Sequence, residues 1–205
     1  MLGTQDPQGV QGALTTALQV AHAADGPEAA LLALTTTVRD MGGDPAAHLK
    51  PGGLKPGERQ YRVAGCFFIT PDHMHNMLIA GYGFPPEQRR LSIPIAFGHP
   101  GQVVRTEQPL LLANTDDHGE FRQYLKTSRM GSALFVPIFW RGRMLGQMVM
   151  AAQARNTFMR DDLDMLEAFA AGAGALWIAF DGPAFLAKEY PADPAESGMA
   201  PQSAE

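Results

Sequence analysis

The stretch from residue 132 to residue 152, SALFVPIFWRGRMLGQMVMAA, limits the folds open to this chain more than any other part of it. Two apolar runs rich in Val, Ile, Phe, Leu and Met flank Arg141-Gly142-Arg143. A glycine at that point supplies the positive φ of a tight turn, so the pattern predicts a β-hairpin. Neither arm alternates cleanly between apolar and polar residues, which indicates that both faces of the sheet are covered. We expect helices on one face and the functional region on the other.

The composition suits one domain in a reducing compartment. The 205 residues are enough to bury an ordinary core, and the formal net charge of -5 gives no overall basic surface for nucleic acid. A single cysteine, Cys66, cannot form an internal disulfide. No stretch approaches the roughly 20 apolar residues of a membrane span, and the N-terminus lacks a signal-peptide pattern. We therefore expect a cytoplasmic protein that binds neither nucleic acid nor membrane.

Apolar periodicity and turn residues predict the remaining elements. The predicted helices are 11–24, 27–41, 101–106, 119–127 and 161–180. The predicted strands are 61–70, 74–82, 91–96, 110–112 and the two arms of 132–152. Pro94 places the third strand at an edge, and prolines and glycines make 44–60 an irregular loop. We expect a domain over 10–180, with 1–9 flexible and 181–205 disordered.

This order of elements, with several short motifs, resembles a GAF domain. The segment GHPGQVVRTEQP, residues 98–109, looks like the family's G-x-x-G-x-x-x-x-T-x-x-P motif. The match continues through Asp116, the run SALFVPI at 132–138, Gly142, Gly146 and Phe158. The resemblance implies an α+β fold, in which a central antiparallel sheet carries the N- and C-terminal helices on one face and ligand-pocket loops on the other.

The resemblance also implies a function. It favours a stand-alone sensory domain that binds a small molecule or anion and signals to a separate regulatory protein, because the chain shows no DNA-binding, kinase or phosphodiesterase segment. One alternative is a redox enzyme of the free methionine sulfoxide reductase type. Those reductases use several cysteines, and Cys66 alone cannot complete that cycle, so we expect no enzymatic activity. The other alternative is a structural dimerisation module with no ligand.

The strongest candidate site is the turn at 98–101, because the start of a helix presents free backbone N–H groups to an anion or carbonyl. Phe97 and Val103 are expected as apolar walls, and Gln102, Tyr124 and Ser132 as polar groups that orient a ligand. Two readings stay open: His99 is either a ligand contact or solvated, and Asp116 either a ligand contact or a helix cap. The candidate ligand-binding residues are Phe97, Gly98, His99, Gln102, Val103, Asp116, Tyr124 and Ser132.

Other side chains that could have a chemical role have simpler explanations. His73 and His75 have no third ligand in view, so we expect no metal site, and the sequence specifies no cofactor. Cys66 is expected as a small core residue. The methionines at 144, 148 and 150 either line an adaptable apolar pocket or belong to the core.

The helix at 161–180 predicts a homodimer. Residues Ala171, Gly174, Ala175, Ile178 and Ala179 fall between its core positions and leave an apolar outer strip. We expect this strip and the first helix to form the dimer interface. The alternative is that the loop at 44–60 or the segment 185–190 covers the strip within one chain.

Overall fold

Six antiparallel strands form one sheet that positions the rest of the chain. The computed structural model describes residues 7–119 and 129–190. Its strands are β1 Arg62–Ile69, β2 His75–Tyr82, β3 Ser92–Pro94, β4 Leu110–Leu112, β5 Ser132–Trp140 and β6 Arg143–Ala152. Its α-helices are α1 Pro7–His22, α2 Pro27–Met41, α3 Gly98–Thr106, α4 Arg160–Ala179 and α5 Gly182–Glu189. The strand order is β3-β2-β1-β6-β5-β4, and the expected α+β fold is confirmed.

The central hairpin is confirmed and has the turn that its sequence predicts. β5 and β6 pair from Ser132 opposite Ala152 to Trp140 opposite Arg143. Arg141 and Gly142 make the turn with φ values of 49° and 76°, a region that glycine enters without strain. Almost every side chain of the hairpin is buried until Phe139, so both faces of these strands are covered.

The helix-side core lies between the sheet and helices α1, α2, α4 and α5. Phe68 of β1 stacks on Trp177 of α4, with ring centroids 3.8 Å apart and planes inclined by 13°. Every residue that the periodicity of α4 placed toward the sheet is buried. These are Leu163, Leu166, Phe169, Ala170, Ala173, Leu176 and Trp177. Cys66 also lies in this core.

A smaller group of side chains, the α3-side cluster, covers the opposite face. Its buried members include Val63, Phe67, Leu78, Val103, Phe135 and Val149. α3 lies over β5 and β6. Phe84 lies over β1 and β2, where a Cβ on Gly65 or Gly81 would come within 3.0 Å or less of its ring. Glycines at these two positions therefore leave room for the Phe84 side chain.

The structure corrects several element boundaries. α1 begins at Pro7, four residues before the predicted start, whereas α2 matches its prediction. The expected disorder from residue 181 is corrected for α5, which is too short to show a periodic pattern but buries Leu186 and packs Phe185 and Tyr190 on the helix-side core. The predicted helix at 119–127 lies almost wholly outside the described residues, as do 1–6 and 191–205.

Within the described ranges, no single helix has the length and apolar character of a membrane span. Only α4 and α5 taken together pass that test, and a bend of 79° separates them.

Asp162 fixes the start of α4. Its carboxylate accepts hydrogen bonds from the Met159 N–H and the Gly43 N–H, both at 2.8 Å. The first bond caps the helix, and the second ties α4 to the end of α2.

We expect Asp162→Ala to lower the free energy of unfolding by about 2–3 kcal/mol, because it removes a cap and leaves a second partly buried N–H unpaired. Urea unfolding followed by circular dichroism measures the change. Asp161→Ala is the matched control in the same helical turn, and should cost no more than about 1 kcal/mol through the helix dipole. Equal losses in the two variants would contradict the capping role.

Candidate functional site

The turn that begins α3 depends on two glycines. Gly98 has a φ of 55°, which favours glycine, and a Cβ on Gly101 would lie 2.3 Å from the carbonyl carbon of Ala96. The Gly101 N–H donates to the Phe97 carbonyl at 2.9 Å, and Pro100 has no N–H to donate. This helix start therefore offers an anion fewer backbone donors than its sequence suggests.

Several of the predicted site residues lie around α3. Val103 is buried, and Phe97 packs beside it in the α3-side cluster. Gly98, His99 and Gln102 are half-buried on the same helix. The His99 ring meets the exposed His118 ring edge-on, with centroids 5.8 Å apart. Tyr124 lies outside the described residues.

Ser132 does not join this group. Its hydroxyl donates to the Leu112 carbonyl at 3.1 Å and accepts from the Phe158 N–H at 3.4 Å. Phe158 belongs to the helix-side core. Ser132 therefore ties strand ends together, and the expectation that it orients a ligand beside α3 is corrected.

Asp116 belongs to an ion-pair network, and the helix that it was expected to cap lies almost wholly outside the described residues. The side chain that caps the 3₁₀ turn Thr115–Asp117 is Asn114, whose Oδ1 accepts from the Asp116 N–H at 3.1 Å. The Asp116 carboxylate lies 2.8 Å from Lys55, 3.0 Å from Arg155 and 3.4 Å from Arg129. The carboxylate is thus engaged by cations of this chain.

Arg155 is the centre of that network. It is only 3% exposed, its guanidinium binds both Glu58 oxygens, and its Nε donates to Asp116. Burial raises the pKa of Glu58, but the hydrogen bonds from Arg155 and from the Lys55 N–H, together with the charges of both residues, lower it overall. Hydrogen bonds from Lys55 and then Arg155 lower the pKa of Asp116. The network joins the end of the 44–60 loop to the loops after β4 and β6.

Two side-chain amides on the α3 side were not among the predicted site residues. Gln147 of β6 and Asn76 of β2 are each 1% exposed. Gln147 pairs across the sheet with Phe67 and Asn76 with Ile69, and both partners belong to the α3-side cluster. Each amide is a polar residue within a mostly apolar strand. That contrast is visible in the sequence and could have marked both residues as site candidates.

These amides are poorly satisfied. Gln147 Nε2 lies 3.5 Å from the Pro100 carbonyl at the start of α3, and its Oε1 has no hydrogen-bond partner among residues 7–119 and 129–190. Neither amide atom of Asn76 has a partner in the same ranges. Leaving such a buried group unpaired costs about 1–3 kcal/mol, so these groups call for an additional partner.

Cys66 lies on the other side of the sheet. The thiol is fully buried in the helix-side core, and burial raises its pKa to about 12. Met148 and Met150 share this core, whereas Met144 lies in the α3-side cluster because a bulge interrupts the β5–β6 pairing beside it. The three methionines therefore do not line one pocket.

His75 has an ordinary hydrogen-bonding environment. Its Nδ1 lies 2.9 Å from the Tyr190 hydroxyl, which also lies 3.0 Å from Asp72. No three His, Cys, Asp or Glu side chains converge as a metal site in the part of the chain that the structure describes.

Comparison with known proteins adds a family and several similar structures. The model of the GAF domain family matches residues 13–176. The GAF domain of a phosphoenolpyruvate-protein phosphotransferase from Coxiella burnetii is 19% identical with a TM-score of 0.69, and the match covers 87% of this chain and 98% of that one. The corresponding Acinetobacter domain is 18% identical with a TM-score of 0.65, covering 86% and 97%.

A free methionine-R-sulfoxide reductase from Neisseria meningitidis, solved with its substrate, is also similar. It is 16% identical with a TM-score of 0.67, and the match covers 89% of this chain and 96% of that one. At such identities the likeness shows the fold alone. A search of curated protein sequences finds no significant match.

We expect Gly101→Ala to lower the free energy of unfolding by about 1–3 kcal/mol, because the new Cβ meets backbone atoms that cannot move aside easily. Urea unfolding is again the measurement. Gly12→Ala is the control, since nothing lies within 4 Å of a Cβ there, and it should raise helix stability by up to about 1 kcal/mol. A neutral Gly101→Ala would show that the turn relaxes freely.

We expect Arg155→Met to cost about 2–4 kcal/mol at pH 7, because Glu58 and Asp116 keep their charges without a buried partner. Both carboxylates have lowered folded-state pKa values. Their ionised forms therefore stabilise the fold fully above the ordinary pKa values of 4.5 and 3.8. That stabilisation is lost as the pH falls through the lowered folded-state pKa values.

The difference in melting temperature between Arg155→Met and the unchanged protein should thus shrink below about pH 4. Scanning calorimetry from pH 7 to pH 3 measures it. Arg160→Met, which breaks an exposed pair with Asp164, should change the free energy of unfolding by less than about 0.5 kcal/mol throughout. A difference for Arg155→Met that does not depend on pH would contradict the electrostatic explanation.

Proposed function

Because the chain belongs to the GAF domain family, we propose that it is a non-enzymatic sensory domain that binds a small ligand between α3 and the sheet. The observation that carries this proposal is the pair of buried amides, Gln147 and Asn76: both amide atoms of Asn76 and Oε1 of Gln147 lack partners among the described residues. A bound molecule would supply those partners. The bound domain then reports to a separate regulatory protein.

The different covers of the two sheet faces support this position for the ligand. The helix-side core is deep and is closed by long helices, whereas α3 has only nine residues. Displacing α3 therefore exposes less apolar surface than displacing α4. Residues 147 and 148 of β6 point to opposite faces. A shift of this strand beneath a ligand therefore also moves Met148, which packs in the core covered by the terminal helices.

The reductase alternative requires a reactive thiolate. Cys66 is the single cysteine of the chain, is fully buried and has a pKa raised to about 12. It also lies on the sheet face opposite α3. The burial and the raised pKa favour the sensor over cysteine-based chemistry, because the thiolate is the attacking species in thiol redox reactions.

The proposal includes a homodimer through α1 and α4. The apolar strip is narrower than its sequence suggests: Ala171, Ala175 and Ala179 are exposed, but Gly174 is buried, and a Cβ there would lie 2.5 Å from the Phe139 carbonyl oxygen. Ile178 packs on the helix-side core. Small exposed residues let a second helix approach closely, which supports contact between two copies at this face.

Native mass spectrometry of freshly purified protein, with a thermal-shift screen of metabolites and anions, tests the sensory function. We expect either a retained small molecule or a ligand that raises the melting temperature by several degrees. A bare protein mass together with no stabilising ligand would favour the structural module instead.

Thiol titration and turnover on free methionine sulfoxide test the enzyme alternative. We expect Cys66 to react with a thiol reagent only after unfolding, and the unchanged protein to show no more turnover than Cys66→Ala. Turnover that disappears in a folded Cys66→Ala variant would establish the reductase.

A further inference from the structure

The α3 side of the sheet combines a nearly apolar surface with two amides. Asn76 and Gln147 lie on β2 and β6, the strands on either side of β1, and both face the α3-side cluster. Strands two positions apart are separated by about 10 Å, and the register offsets Asn76, opposite Ile69, by two residues from Gln147, opposite Phe67, so the two backbones lie about 12 Å apart. A molecule of one or two rings lying over Phe67 can span the distance that remains between the two side chains. The two amides therefore lie at the border of one shared region of the sheet.

The same region provides little for a charged ligand, since on α3 His99 is half-buried against the His118 ring and Arg105 is exposed. Arg155 is the one buried basic side chain within the described ranges, and Glu58 and Asp116 already bind it. At the start of α3, Pro100 lacks an N–H, and Gly101 donates to Phe97. An anion moved from water into this apolar surface would lose its hydration without gaining a matched cation.

An unpaired primary amide favours a different partner. It presents a donor and an acceptor side by side, which match the acceptor and donor of another amide edge. Asn76 has both amide atoms without a partner in the described chain, so it can form both bonds at once. Gln147 adds an acceptor, because its Oε1 is the unpaired atom, while its Nε2 faces the Pro100 carbonyl.

We infer that the ligand of the α3 side is an uncharged molecule with adjacent hydrogen-bond donor and acceptor groups, as in a lactam ring or a carboxamide. This inference rests on the proposed function, since it names the chemistry of the same site. Both amides are closed to solvent, so the cover must open for the ligand to enter. The turn 98–101 is the part of that cover that contacts Gln147, which couples binding to a movement of α3.

Thermal shift and calorimetric titration of the full chain with uracil, hypoxanthine and nicotinamide test the inference. 1,3-Dimethyluracil is the matched ligand control, because it keeps the ring but replaces both N–H donors with methyl groups. Phosphate and nitrate form the anion arm. We expect stabilisation by at least one neutral probe with an intact amide edge, and none by the dimethyl compound or the anions.

Gln147→Met and Asn76→Leu remove the amides while keeping the side-chain volume. We expect each variant to melt a few degrees higher than the unchanged protein without ligand, because a buried unpaired group is gone, and to bind the neutral probe at least tenfold more weakly. Gln108→Met, at an exposed position after α3 and away from the proposed dimer helices, is the matched control and should leave both quantities unchanged.

The outcomes separate this inference from the proposed function. Stabilisation by anions alone, unchanged in Gln147→Met and Asn76→Leu, would overturn the inference and leave the sensor standing. Equal binding of uracil and 1,3-dimethyluracil would overturn it even if neither variant folds. If neither the neutral probes nor the anions bind, and native mass spectrometry shows the protein without a bound molecule, the sensor and the inference are overturned together.

Discussion

The burial of the central strands on both faces is the constraint on which the rest of the structure depends. β1, β6 and β5 lie in the middle of the sheet, and their side chains are apolar in both directions. Such strands are stable only when each face is covered. α2 and α4 cover one face with long buried stripes, whereas the other face receives the short α3, Phe84 and loops. Within residues 7–119 and 129–190, the α-helix on the α3 side is therefore shorter than α2 and α4 on the opposite face.

Close backbone approaches give the thin cover its shape. Gly101 lets α3 lie against residue 96, and the two glycines Gly65 and Gly81 make a groove that Phe84 fills. Each contact depends on the absence of a Cβ, so a larger residue at any of these positions would displace its neighbour. Beyond the end of the central strand β6, Arg155 binds the loop that carries Asp116.

The sequence predicted the elements of the fold that have a periodic apolar pattern. The hairpin, α2 and the buried side of α4 follow from apolar periodicity and from the glycine at the turn. The Arg155 network was not predictable in this way, because Glu58 and Arg155 are 97 residues apart and only the fold brings them together. Gly174 was assigned to an exposed strip because helix periodicity does not reveal that the Phe139 carbonyl packs against it. Ser132 was expected at the site as a polar group that could orient a ligand, whereas its hydroxyl bonds the Leu112 carbonyl and the Phe158 N–H beside the helix-side core.

The pleat of the strands also determines which side chains point to each face of the sheet. Cys66 and Phe67 are neighbours on β1, but one points into the helix-side core and the other toward α3. Their partners on β6, Met148 and Gln147, alternate in the same way. A slip of one residue would exchange these faces, placing the thiol beneath α3 and an amide in the helix-side core. The burial of Phe68 against Trp177 opposes that slip. The register that builds the main core is therefore the same one that presents amides, rather than a thiol, to the α3 side of the sheet.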